Sequence, residues 1–233
     1  MSGVLYGVGL GPGDPGLITV KSSQLISQAR VIAYPSLAGG ESFARSIAAG
    51  LISSEAEEIV MDVPMAVERA PAQAAYDIGA KKIAAALDRD EDVVCLCEGD
   101  PFFYGSFMYL YARLAADYQV EVVPGVTSIT TCAARAGMPL AARNERLTIL
   151  PGPLPAEELR TRIEGAESVA IMKVGRHLNK IRTVIADLGL TDKAAYIERA
   201  SLPDELVCPL DAAPEKAPYF SMIILTKGAD PWL

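Results

Sequence analysis

The first 123 residues alternate between short, almost wholly apolar runs and longer amphipathic ones. The runs "GVLYGVGL" (3–10), "RVIAY" (30–34), "EEIVM" (57–61), "DVVCLC" (92–97) and "QVEVV" (119–123) have the length and branched apolar content of buried strands. The intervening segments, 17–28, 41–50, 69–88 and 102–116, are long enough for helices. Strand and helix in alternation predict a parallel sheet covered by helices.

Beyond Pro124 the rhythm changes. A helix is expected over 127–136, and others over 156–164 and 176–188. Between and after them "RLTILPG", "SVAIMKV", "AAYIER" and "YFSMIILTK" read as strands of a second, more mixed sheet. The fold class is therefore α/β, with an N-terminal α/β domain over 1–123 and a C-terminal α/β domain over 124–233. No long linker or low-complexity segment separates them, and no internal repeat stands out.

Composition narrows the function classes. Hydrophobic residues make up 51% of the chain, enough for a sizeable core, while aromatics are only 6%, so Ala, Val, Ile and Leu must fill it. A formal net charge of -8 argues against non-specific binding to nucleic acid or anionic membranes. No basic-then-apolar leader opens the sequence, and the uncharged run from Val122 to Ala134 is short and broken by Pro124 and Gly125. A cytoplasmic protein is expected. Cys95, Cys97, Cys132 and Cys208 show no zinc-type spacing, and His177 is the single histidine, so no metal site is expected. Cys95 and Cys97, two apart, fall on one face of a strand and read as reduced core residues.

Three stretches share one grammar: an apolar strand, a Gly/Pro turn and a cap residue. They are "GLGPGDPGL" (9–17), "CEGDPFFYG" (97–105) and "VVPGVTS" (122–128). Asp14 and Asp100 each precede proline, a favoured first helical residue, so a turn and a cap alone would account for any one loop. Three such loops at the carboxyl ends of parallel strands gather on the edge where open α/β sheets bind ligands.

The first loop also spells G-x-G-x-x-G from Gly11 to Gly16, the letters of a nicotinamide oxidoreductase. Its chemistry contradicts the letters. Pro12 and Pro15 remove backbone donors, Asp14 puts a carboxylate where phosphate oxygens would lie, and no acidic ribose ligand follows at about 20 residues. A cationic sulfonium would tolerate that carboxylate.

These residues resemble the tetrapyrrole methylases, which use S-adenosylmethionine. The resemblance runs nearly the whole chain, through "GVGLGPGDPGLITVK", "EGDPFFYGS", "VVPGVTSITTCAARAGMPL", "VAIMKVGR" and "APYFSMIIL". Glu98 stands where some members carry glycine. "EGDPFFYGSF", "IMKVGRHLNKI" and "PYFS" are most similar to the branch that methylates carbon 20 of precorrin-2 in cobalamin biosynthesis. A branch acting on cobalt-precorrin-2 or at another corrin position stays open, as does a non-catalytic sensing module. The resemblance implies a cofactor cleft between the two domains, a homodimer, and S-adenosylmethionine as methyl donor. Carried onto matching positions, cofactor contacts come from Pro12, Gly99, Asp100, Thr127 and Ser128, with Met172 and Ala200 from the second half. From the residues alone, Met172 would equally serve as a core methionine at a strand end.

Methyl transfer from a sulfonium to an electron-rich ring carbon asks mainly for orientation and exclusion of water. One proton must then leave the methylated carbon; Glu98, Asp100, Tyr104 and water are all admissible bases. The family's substrate carries several carboxylates, so a cationic surface is expected within this acidic chain. Lys173, Arg176, Lys180 and Arg182 form one acid-free stretch, and Arg135, Arg143 and Arg146 a second. Arg143, Lys173, Arg176 and Lys180 are the substrate-binding candidates, each equally readable as a solvated surface charge.

Overall fold

A computed structural model describes residues 2–37, 40–64 and 69–228. The chain divides into two compact units, Met1–Thr127 and Ser128–Leu233.

In the first unit strands β1 (Leu5–Gly9), β2 (Val31–Leu37), β3 (Glu57–Val63), β4 (Val93–Cys97) and β5 (Val120–Val123) form one sheet in the order β3-β2-β4-β1-β5. Every pairing is parallel, with Gly9 opposite Cys97 and Val8 opposite Val123. Helices α1 (Val20–Gln28) and α2 (Phe43–Ala48) bury Ile26, Ala44 and Ile47 against one face, on Val8, Ile32, Val94 and Leu96. On the other face α3 (Arg69–Leu87) and α4 (Phe107–Leu114) set Tyr76, Ala80, Ile83, Leu87, Phe107 and Leu110 on Leu5, Ala33, Val93, Cys95 and Cys97. Cys95 and Cys97 thus share a face as their spacing requires, and both are buried free thiols.

Burial on both faces explains why the inner strands β1, β2 and β4 read as continuous apolar runs instead of alternating ones. From β1 the chain leaves towards β2, whereas from β4 it leaves towards β5, on the opposite face of the sheet. The adjacent strands β1 and β4 therefore form the switch point in strand order, where open sheets leave a crevice at the carboxyl edge.

The second unit holds a mixed sheet in the order β6-β7-β10-β8-β9, from β6 (Leu147–Pro151), β7 (Ser168–Met172), β8 (Ala194–Glu198), β9 (Leu206–Pro209) and β10 (Ser221–Thr226). β6 and β7 are parallel, β10 runs antiparallel to β7 and β8, and β9 antiparallel to β8. Strands β6, β7 and β8 thus end on one edge, where β9 and β10 begin. Helix α5 (Ser128–Ala136) opens the unit. Helices α6 (Ala156–Glu164) and α7 (Leu178–Asp187) bury Leu159, Ile163, Leu178, Ile181 and Ile185 in a core with Val169, Ile171, Tyr196 and Ile223.

Three differences from the sequence reading have physical causes. β9 was not expected: "LVCP" is four residues long, ends in proline and is only partly buried, so its pairing with β8 defines it. The helix expected over 102–116 spans only Phe107–Leu114, because Asp100 closes a turn on Phe102 and Phe103 and delays the helix. Asp14 caps a single 3-10 turn, Pro15–Leu17, and α1 begins later under the Thr19 cap.

Candidate active site

The three Gly/Pro loops come from β1, β4 and β5, which are neighbours in the sheet, so all three open on one edge. Backbone locks them together. The Gly11 N–H donates to the Gly99 carbonyl at 3.2 Å, and the Gly99 N–H returns a bond to the Gly11 carbonyl at 2.8 Å. A Cβ on Gly9 would lie 2.5 Å from Gly125 and 2.7 Å from the Gly99 oxygen; one on Gly125 would lie 2.0 Å from that oxygen. Glycine is required at both positions because backbone approaches backbone there. Sequence reasoning did not single out Gly9 or Gly125, although each stands at the end of an apolar run.

Asp100 spends its carboxylate inside this lock. Oδ1 accepts from the N–H groups of Phe102 (2.9 Å) and Phe103 (3.0 Å), and Oδ2 accepts from the Gly125 N–H at 3.0 Å, tying the β4 loop to the β5 loop. Such charge-assisted bonds make Asp100 a positioning residue. Gly99 has φ of +63°, and a Cβ there would meet nothing within 4 Å, so its backbone borders open space. Pro12 is half-buried between the bridged Gly11 and the buried Gly13, and Thr127 is half-buried at the end of the β5 loop.

The same bonds dispose of the phosphate reading. The Gly11, Gly16, Gly99 and Gly125 N–H groups are all engaged within the protein, Gly16 by the Asp14 carboxylate at 2.8 Å. A pyrophosphate would find consumed donors and two carboxylates.

Glu98 precedes this turn. The residue is exposed, yet the protein mass around its carboxyl raises its pKa above the ordinary value by desolvation. Tyr104 is 45% exposed, adopts φ of +54°, and packs edge-on to Phe103 with ring centroids 5.2 Å apart.

In the second unit Ser128 is the first residue of α5. Met172 ends β7, half-buried, and its carbonyl accepts from the Gly152 N–H at 2.7 Å, so the β6 and β7 ends meet backbone to backbone. Ala200 is buried just beyond β8 on that same edge, between two residues in the left-handed region, Arg199 (φ +49°) and Ser201 (φ +71°). Glu205 holds this turn: its carboxylate accepts from the Ser201 N–H at 2.6 Å and pairs with Arg135 at 2.7 Å. Burial pushes the Glu205 carboxyl up, but Arg135 and Ser201 outweigh it and hold it below the ordinary value. Nothing local in the sequence marked Glu205, since its partners are distant along the chain.

The cations divide. Lys180 donates to the carbonyls of Gly152, at 2.9 Å, and Leu154, so its ammonium helps fix the β6 loop. Arg182 reaches the Asp211 and Ala213 carbonyls, and Arg146 pairs with Glu167 at 2.8 Å. Arg143, Lys173 and Arg176 remain exposed, with Lys173 at φ of +56° where the chain leaves β7. Among the described residues no group of three His, Cys, Asp or Glu side chains is placed to hold a metal ion, and no helix is long and apolar enough to cross a membrane.

A parallel sheet with glycine-locked loops at its switch point, followed by a mixed sheet with its own loop edge, defines a two-unit α/β protein. The family model for Tetrapyrrole (Corrin/Porphyrin) Methylases matches residues 4–213, and the chain belongs to that family; it is a methyltransferase. It is 40% identical to precorrin-2 C(20)-methyltransferase of Sinorhizobium sp, covering 99% of each protein, and 30% identical to cobalt-precorrin-2 C(20)-methyltransferase of Salmonella typhimurium, covering 97% and 98%. Among solved structures it is similar to uroporphyrin-III C-methyl transferase from Thermus thermophilus complexed with S-adenosylhomocysteine. There the TM-score is 0.69 and the identity 25%, over 97% of this chain and 98% of the other.

Proposed function

We propose that this methyltransferase transfers a methyl group from S-adenosylmethionine to carbon 20 of precorrin-2, giving precorrin-3A in cobalamin biosynthesis. The 40% identity to a precorrin-2 C(20)-methyltransferase over the full length of both proteins carries the reading. A second reading, cobalt-precorrin-2 as substrate, is favoured by the Salmonella relative, at the lower identity of 30%.

When bound, S-adenosylmethionine supplies an electrophilic methyl group. In this reading Pro12, Gly99 and Thr127 offer backbone and apolar contact to it, and Asp100 acts through the loops it ties. Ser128, Met172 and Ala200 contribute from the second unit. Arg143, Lys173 and Arg176 meet substrate carboxylates, while Lys180 supports the loop after β6. Glu98 is the group assigned to take the proton from the methylated carbon: the residue is exposed, and desolvation raises its carboxyl pKa, which makes it a better base than an ordinary carboxylate. The enzyme is taken to act as a cytoplasmic homodimer without a metal.

The test is incubation with methyl-labelled S-adenosylmethionine and either precorrin-2 or cobalt-precorrin-2, followed by NMR of the product. Label at carbon 20 of the metal-free ring is expected. Turnover of the cobalt form alone would replace the first reading with the second. Sedimentation of the purified protein tests the homodimer.

A further inference from the structure

The segment "PYFS" leads into β10 on the edge of the second sheet where β7 and β8 end, because Ser221 pairs with Glu198 and Ile223 with Ile171. Tyr219 is 63% exposed and Phe220 40%, and their rings meet edge to face with centroids 5.1 Å apart. Tyr219 is more exposed than any other large aromatic among the described residues, and Phe220 stands beside it.

Their backbone is firmly held. The Ser221 hydroxyl, itself buried, donates to the Pro218 carbonyl at 2.7 Å and accepts from the Gly175 N–H at 3.2 Å. The Arg199 N–H donates to the Phe220 carbonyl at 2.9 Å. Ser221 therefore joins the aromatic segment to the turn that carries Lys173 and Arg176, both exposed. Burial, then Lys180 and Arg176, push the His177 imidazole below its ordinary value, consistent with a locally positive field at this turn.

We infer that Tyr219 and Phe220 form an aromatic platform for the conjugated face of the tetrapyrrole, with Lys173 and Arg176 beside it for the rim carboxylates. The inference rests on the tetrapyrrole reading above and adds residues that fix which substrates are accepted. A flat conjugated ligand gains from ring faces and edges, and its carboxylates gain from adjacent cations, so one ligand matches both halves of the surface. A protein partner would match the aromatics without requiring the cations. The Ser221 clamp preorganises the platform, which lowers the ordering cost of binding.

The experiment uses the full chain and two probes: uroporphyrin III, a flat octacarboxylate, followed by its absorbance shift, and S-adenosylhomocysteine, followed by calorimetry. Tyr219→Ala and Phe220→Ala should each weaken uroporphyrin binding at least tenfold and leave S-adenosylhomocysteine affinity within twofold. Tyr219→Phe should bind like the wild type, because the ring acts and the hydroxyl does not. Arg176→Glu should weaken uroporphyrin binding and reduce its salt dependence. Unchanged uroporphyrin affinity in both alanine variants would overturn the inference, as would equal loss of both probes. With precorrin-2, the alanine variants should raise KM and spare kcat. Wild-type protein that binds uroporphyrin through these residues but does not methylate precorrin-2 at carbon 20 would overturn the substrate assignment and support the platform.

Discussion

Replacing Gly125 by alanine puts one methyl group into the junction of three loops. Its carbon would lie 2.0 Å from the Gly99 oxygen and 2.8 Å from the Gly9 Cα, whereas ordinary van der Waals contact begins at 3.4 Å. Both neighbours are backbone, so no side chain can swing away. Relief requires the β4 and β5 loops to part, which stretches the 3.0 Å bond from the Gly125 N–H to Asp100 and strains the Gly11–Gly99 bridge. Overpacking costs about 1–3 kcal/mol. Loss of a hydrogen bond to a carboxylate adds about 1.5–3 kcal/mol. Together Gly125→Ala should cost about 2.5–6 kcal/mol, and for a unit of this size that lowers Tm by roughly 10–25 °C.

Two other glycines serve as controls. Gly50 has nothing within 4 Å of a built Cβ, so Gly50→Ala should leave Tm nearly unchanged. Gly99 has equally open space but φ of +63°, so Gly99→Ala carries only the conformational cost, about 1–2 kcal/mol. Thermal denaturation of the three variants, with S-adenosylhomocysteine affinity measured on each, separates sterics from conformation. A Gly125→Ala protein melting within a few degrees of wild type, with unaltered affinity, would refute the loop-lock argument.

Asp100→Ala removes the acceptor for three backbone N–H groups and should cost about 2–4 kcal/mol, together with at least tenfold in S-adenosylhomocysteine affinity by calorimetry; unchanged affinity would confine Asp100 to stability. Glu98→Gln should lower kcat by about 100-fold or more while sparing cofactor affinity, and the pH profile of kcat should lose its acidic limb; an unaltered kcat would return the proton to water or to Tyr104. Arg45 holds the Glu58 carboxyl at about 2, helped by the Tyr34 hydroxyl. A carboxyl depressed in the folded state stabilises above its unfolded pKa and loses that stabilisation as pH falls from about 4.5 through 2. The pair is partly exposed, so the effect is discounted to about 1 kcal/mol. Urea titrations of wild type and Glu58→Gln should therefore differ at pH 7 and converge towards pH 2; a constant difference would refute the linkage.

What the sequence determined by itself was the set of elements and the chemistry they can carry. A strand buried on both faces must be apolar throughout, so "DVVCLC" declared itself without any partner. The prolines and Asp14 already contradicted a phosphate ligand, because donors and charges are properties of the residues. The cationic stretch around Lys173 and Arg176 was legible for the same reason.

Tertiary structure decided what those groups do. Whether Asp100 caps a helix or ties two loops depends on Gly125, which lies 25 residues away and reaches it through sheet pairing. Lys180 was one cation among four until the fold placed the Gly152 and Leu154 carbonyls beside it. Strand β9 exists through its pairing with β8, and Glu205 holds the Ala200 turn through partners brought together by folding. The sequence states local preference and charge. Which distant backbone atoms come within hydrogen-bonding or contact distance is settled only when the sheets close, and those contacts decide which groups Asp100, Lys180 and Glu205 hold in place.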